Sequence, residues 1–197
     1  IRQTGMALLA SESVQAAHDL AALAHTTTLE AKIPFVHFFD GFRTSHEINT
    51  YQPLSAEVLN QLLDKKALQA FRKLGITPDA PTIRGTAQNP DVYFQGREKS
   101  NSLYQQLPDI LEAKMRHFEK LTGRSYHPFN YVGHPQAERV FVAMCSGTET
   151  LQQTTEYIGQ HQGDKVGLIN VHLYRPFSLN YFLKALPVSA KEVIVLD

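Results

Sequence analysis

Cysteine is nearly absent from this 197-residue sequence, with Cys145 its single example. One thiol forms no intramolecular disulfide, which excludes a secreted disulfide scaffold and favours a reducing compartment. Nor does it hold an iron–sulfur cluster, which typically needs four thiolates. Long apolar runs are also missing, so nothing approaches the roughly 20 residues of a membrane span. There is no excess of charge: 19 basic residues balance 19 acidic ones, and neither sign forms a block. That removes the electrostatic reason to expect nucleic acid or an anionic membrane as partner. The phosphate-loop, GxSxG, HExxH and GxGxxG patterns do not occur. The beginning, "IRQTGMALLA", has neither an initiator methionine nor a signal-peptide pattern. The sequence stops just after an apolar run, "KEVIVLD", so both ends read as internal to a longer protein.

What is present suits a packed domain or two small ones. Hydrophobic residues make up 43% of the sequence and charged ones 19%, which is enough apolar surface for a core and argues against disorder. Residues 6–10 (MALLA) predict a short buried strand. Ser11 predicts the N-cap of a helix over 12–31, with Val14, Ala17, Ala21 and Ala24 as a stripe of small residues. Pro34 opens a second strand through Phe39, giving the strand–helix–strand unit of a parallel sheet. Residues 43–54 read as a polar loop, and 55–74 as one broken helix or two short ones. Residues 75–96, with Pro78, Pro81 and Pro90, are too long for an idle loop. Residues 102–122 predict an amphipathic helix with Ile110, Leu111, Met115, Phe118 and Leu121 near one face, capped by Gly123. A hinge-like segment, 123–137, then leads into strands over 139–144, 165–171 and 192–196 with helices over 148–160 and 178–186. The fold class is α/β, two parallel-sheet units with a boundary near residue 125.

Several groups carry possible chemistry. His37, Asp40 and His46 are metal-ligand types, but residues three apart on a strand point to opposite faces, which disfavours a shared ion. Arg43, His46 and Glu47 suit an anion or, more simply, ion pairs across a domain interface. Cys145-Ser146-Gly147-Thr148 sits between a strand and a helix, where backbone N–H groups hold either an anion or an ordinary Ser/Thr cap. Arg84, Asn89, Asp91, Arg97 and Glu98 crowd the segment "IRGTAQNPDVYFQGRE". They line a cleft or pin two domains together. Arg175, just past a strand, stands where open α/β sheets bind ligands or where a domain contact forms.

Five strings take the sequence further: "RQTGMALLASESVQAAHDLAALAH" (2–25), "PFVHFFDGFRTSHEI" (34–48), "RGTAQNPDVYFQGRE" (84–98), "TGRSYHPFNYVGHPQAERV" (122–140) and "KVGLINVHLYRPFS" (165–178). In this order and spacing, from end to end, they resemble pyruvate:ferredoxin (flavodoxin) oxidoreductase. The resemblance implies that residues 1–125 are the last part of a thiamine pyrimidine-binding domain. Residues 126–197 then correspond to most of a domain like the C-terminal one of transketolases. It implies a parent enzyme that turns pyruvate and coenzyme A into acetyl-CoA, carbon dioxide and two electrons. Such an enzyme uses thiamine diphosphate, Mg2+ and [4Fe–4S] clusters, forms a homodimer, and passes electrons to ferredoxin or flavodoxin. It works in the cytoplasm or a reducing anaerobic organelle.

The family's aminopyrimidine-activating glutamate, substrate-binding threonine and pyruvate-binding arginine fall before Ile1, and its GDG-type motif falls beyond Asp197. Catalytic, cofactor-binding and metal-binding residues are therefore not expected in this segment, which alone should be inactive. Arg43, His46, Arg84, Asp91, Arg97 and Arg175 are expected as interdomain contacts. Cys145 departs from the family's usual glycine in an "MGS" turn. The alternative is a non-catalytic, oxidoreductase-like interaction module of a larger reductase subunit. A zinc hydrolase using His37 and Asp40 is the third reading.

Overall fold

A computed structural model describes residues 1–83, 85 and 87–196. The first strand, β1 (Ala7–Ala10), is fully buried and runs parallel to β2 (Phe35–Phe38), with Ala7 opposite Phe35 and Ala10 opposite Phe38. Helix α1 (Val14–Ala31) makes the crossover between them. Its N-cap is Ser13, whose hydroxyl accepts from the Ala16 amide at 3.1 Å; the sequence predicted Ser11. Ser11 is occupied elsewhere, its hydroxyl lying 2.5 Å from His37 Nε2 on β2. The stripe is corrected too. The buried positions are Ala16, Asp19, Leu20, Leu23, Ala24, Thr26, Thr27 and Ala31, and only Ala24 belongs to the predicted set. With alanine on several faces, periodicity alone did not separate them, and the leucines decide the buried side by burying more apolar area.

After β2 come a helical turn, α2 (Arg43–His46), and two short helices, α3 (Ala56–Leu62) and α4 (Lys65–Lys73). Ser55 and Asp64 cap the latter pair through their side chains. The polar loop following α2 is laced onto α1. Gln52 exchanges two hydrogen bonds with the Gln15 side-chain amide, and the Leu54 amide donates to His18 Nε2 at 3.0 Å. The segment expected to be irregular to residue 96 becomes helical earlier, as α5 (Pro90–Lys99), with Pro90 in the first turn where its missing N–H costs nothing. Helix α6 (Asn101–Thr122) follows and ends at Gly123, which has φ +74°. It presents Leu107, Leu111, Met115 and Phe118 to Leu20 and Leu23 of α1 and to Ala7 and Leu9 of β1, forming the first core.

The second sheet has the order β3-β5-β4-β7. It is built from β3 (Phe129–Gly133), β4 (Arg139–Ala143), β5 (Val166–Val171) and β7 (Glu192–Val195). Helices α7 (Gly147–His161) and α8 (Leu179–Ala185) accompany it. The segment expected to be a hinge thus contains β3, which pairs antiparallel with β5. Its strand character is hidden by two glycine contacts. A Cβ on Gly133 would lie 2.7 Å from Gly167 Cα, and one on Gly167 would strike the Tyr131 ring. Glycine is required where backbone and ring approach so closely.

A three-residue strand, β6 (Leu173–Arg175), leaves the second sheet and joins the first, antiparallel to β1, in the order β2-β1-β6. Arg175 therefore ends a strand, where the sequence placed it beyond one. The parallel pairs β1–β2, β4–β5 and β4–β7 fit the expected parallel-sheet units, and each sheet adds one antiparallel strand. No helix among the described residues is long and apolar enough to cross a membrane.

Candidate functional site

The polar side chains concentrate where the two sheets meet, near the carboxyl ends of β1, β2 and β4. Asp40, two residues past β2, accepts from the Ser146 amide at 2.9 Å and also from the Ser146 hydroxyl. Ser146 is the N-cap residue of α7, and its own side chain caps nothing in that helix. A carboxylate from the first unit thus satisfies the helix start of the second, where it also meets the positive end of the dipole. Burial is the largest influence on Asp40 and raises its carboxyl. The hydrogen bonds from Ser146 outweigh it and hold the group below the ordinary carboxylate range.

Cys145 precedes this contact with φ +64°, a left-handed conformation that favours glycine. Burial, followed by the charge of Asp40, pushes its thiol up to about 11. That is the opposite of a thiol activated by a helix start. Glu12, Glu47, Glu149 and Arg43 share with Ser146 a crevice of about 250 Å3. Burial and the negative charges of Glu12, Glu47 and Asp40 raise the Glu149 carboxyl.

A second set of contacts holds residues 124–128 against the first core. Asp19 is fully buried on α1 and takes two bonds from Arg124, Nε at 2.6 Å and Nη2 at 2.9 Å, and one from the Tyr126 hydroxyl at 3.0 Å. Burial and then the Asp19 charge raise the Tyr126 phenol far above its usual range, so it remains a donor. Glu112 on α6 takes Arg116 Nε at 2.7 Å and meets His127 Nδ1 at 3.0 Å. Just beyond, His172 is fully buried, with Nδ1 3.0 Å from the Ala10 carbonyl and its ring edge-on to Tyr126. The Ala10 amide returns a bond to the His172 carbonyl at 2.8 Å.

None of Asp19, Glu112, Arg124, Tyr126, His127 and His172 was singled out in the sequence. Two carried a signal: Asp19 interrupts the apolar face Ala16–Leu20–Leu23, and Glu112 follows Leu111 on the face of Met115. An acid on an apolar helix face implies a buried partner.

The predicted residues scatter. Arg43 pairs with Glu47 at 3.1 Å on an exposed surface. His46 stacks on Phe42 and meets the Ser45 hydroxyl at 2.6 Å. Asp91 is exposed in the first turn of α5. Arg84 lies outside the described residues. Of the described residues in that set, Arg97 and Arg175 both lie near Tyr104. Arg97 lies against Gly5, and Arg175 sits over the Tyr104 ring, 6.0 Å from its centroid. His37 and Asp40, the pair of the zinc reading, turn to Ser11 and Ser146 respectively. Among the described residues no three His, Cys, Asp or Glu side chains are grouped to hold a metal. A diphosphate does not fit the α7 start either, because the Asp40 carboxylate already takes its amide and three glutamates line the crevice.

Residues 1–116 match the family model described as pyruvate flavodoxin/ferredoxin oxidoreductase, thiamine diphosphate-binding. The sequence is 52% identical over all 197 residues to a pyruvate-flavodoxin oxidoreductase of Enterobacter agglomerans, and covers 17% of that protein. It is 52% identical over 196 residues to a pyruvate:ferredoxin oxidoreductase of Moorella thermoacetica, again covering 17% of it. The chain thus spans about a sixth of the curated relatives it matches. Its fold is similar to that of a 2-oxoglutarate:ferredoxin oxidoreductase from Magnetococcus marinus, solved with 2-oxoglutarate, coenzyme A and succinyl-CoA bound. That match has a TM-score of 0.59 at 14% identity, over 96% of this chain and 34% of the other. The match over more than half its length places this chain in the pyruvate flavodoxin/ferredoxin oxidoreductase family.

Proposed function

We propose that the chain is the scaffold and interdomain part of an oxidoreductase that converts pyruvate and coenzyme A to acetyl-CoA and carbon dioxide. The observation that carries this reading is the identity of 52% over the whole chain to relatives about six times its length. The difficult chemistry belongs to thiamine diphosphate and iron–sulfur clusters held by other parts of the polypeptide. Mg2+ accompanies the diphosphate. The chain's own contribution is rigidity, since a cofactor cleft between domains works only if those domains keep their spacing.

Asp40–Ser146, Asp19–Arg124 and the β6 strand that links the sheets would supply that rigidity. The boundary near residue 125 separates the end of the pyrimidine-binding domain from the transketolase-like one. The whole enzyme is a cytoplasmic homodimer that delivers electrons to ferredoxin or flavodoxin. Arg43, His46, Arg84, Asp91, Arg97 and Arg175 face its other domains.

The test is viologen reduction under anaerobic conditions. The full-length polypeptide should reduce viologen only with both pyruvate and coenzyme A, and the 197-residue chain should show no activity. A full-length polypeptide that is inert towards pyruvate would overturn the proposal.

A further inference from the structure

Helix α5 (Pro90–Lys99) buries none of its ten residues, yet Val92, Tyr93 and Phe94 stand 51%, 55% and 65% exposed. A helix this short is marginal in water without a packed face, and a run of exposed aromatics marks a contact surface. Arg97 lies three and four residues after Phe94 and Tyr93, on the same side of the helix. It is half-buried, and its terminal nitrogens come within 2.9 and 3.1 Å of where a Gly5 Cβ would stand. Gly5, at φ +87°, has no Cβ and leaves room for the guanidinium. The Tyr104 hydroxyl donates to the Gly5 carbonyl and fixes the ring. Arg175, also half-buried, lies over that ring from the end of β6, the outer strand of the first sheet. Among the described residues neither arginine reaches a carboxylate within ion-pair distance. Both half-buried cations thus lie about Tyr104, Arg97 beside its hydroxyl and Arg175 over its ring, and an anion between them would balance their charge.

From this geometry we infer that Arg97 and Arg175 form a carboxylate-binding fork. An acidic protein segment docks in it and covers Tyr93 and Phe94. Planar guanidinium groups pair with carboxylates two bonds at a time, which fixes orientation as well as charge. A free phosphate would satisfy the arginines and leave the aromatic face in water, so the occupant is a protein segment. Its source is the same polypeptide outside these 197 residues, and this step rests on the chain being part of a longer enzyme.

The test uses the full-length polypeptide, labelled at arginine with phenylglyoxal and read by mass spectrometry, with hydrogen exchange followed at α5. Arg97 and Arg175 should label about tenfold more slowly than exposed Arg43, in phosphate and in phosphate-free buffer alike. In the R97Q/R175Q variant the α5 amides should exchange about tenfold faster while those of α6 keep their rates. Labelling at the rate of Arg43 overturns the fork. Protection that needs phosphate assigns it to a free ion and overturns the docking. Unchanged α5 exchange in the double variant does the same, and if that variant does not fold, the wild-type labelling decides. An active enzyme with a freely labelled fork sinks this inference alone. A protected fork in a polypeptide inert towards pyruvate sinks only the assigned reaction.

Discussion

The carboxylate of Asp40 caps the helix that begins at Ser146, 106 residues away in sequence, through the backbone amide at 2.9 Å. Caps are normally supplied by the residue that starts the helix; here the first unit supplies the second. Asp40→Ala should therefore loosen the seam between the sheets rather than either core. Loss of a cap costs about 1–2 kcal/mol, so the urea midpoint should fall and amide exchange should rise in the first turn of α7. Unchanged exchange there would show that Asp40 holds nothing.

At Cys145 the prediction runs the other way. Its φ of +64° suits glycine, so Cys145→Gly should stabilise the protein by about 1 kcal/mol. The thiol, pushed up to about 11, should alkylate far more slowly than free cysteine at neutral pH and speed up as pH approaches that value. Rapid alkylation at neutral pH would contradict the buried, acid-faced environment.

Asp19 and Arg124 test the cost of an orphaned charge. Asp19 is fully buried and accepts hydrogen bonds from Arg124, Tyr126 and Gln15, of which Arg124 alone carries a charge. Breaking such a pair from one side costs about 3–5 kcal/mol, so Arg124→Met should destabilise strongly. The double variant D19N/R124M should recover part of that loss, because no charge is left buried. Equal loss in the single and double variants would show that packing, not charge, dominates.

His127 and Glu112 give the pH dependence a definite sign. The hydrogen bond to Glu112 raises His127, so its contribution is fully present below the unfolded histidine value and is lost as pH rises through the raised folded one. Burial raises Glu112, but bonds from His127 and Arg116 outweigh it and lower the group. Its share is present above the unfolded carboxylate value and lost as pH falls through the lowered folded one. The pair is strongest between those two limits. His127→Gln should remove the decline in stability on the alkaline side and also shrink the acid-side arm, leaving the part that Arg116 supplies to Glu112. A denaturation series across pH reads both arms.

The regular elements were legible in the sequence where one face is clearly apolar. Leu111, Met115 and Phe118 announced α6, and "RVFVAM" and "KVGLINV" announced β4 and β5. The stripe on α1 was misplaced because alanine fits both buried and half-buried positions. Strand β3 was missed because Gly133, Pro135 and three aromatics imitate a loop; its pairing depends on Gly167, far along the chain. β6 was hidden for a related reason: three residues following His172 give no period to read, and only β1 as a partner makes them a strand. The seam was least legible. Asp40 was noticed as a possible ligand, but its partner Ser146 is set by tertiary structure, which no local pattern carries.

The central claim is that these residues are part of a much longer oxidoreductase, and the mass of the native polypeptide tests it most directly. Antibody raised against residues 1–197 should detect, in an anaerobic cell extract, a single band several times heavier than 22.2 kDa. A band at 22.2 kDa would contradict the account and leave a free-standing protein without its enzyme.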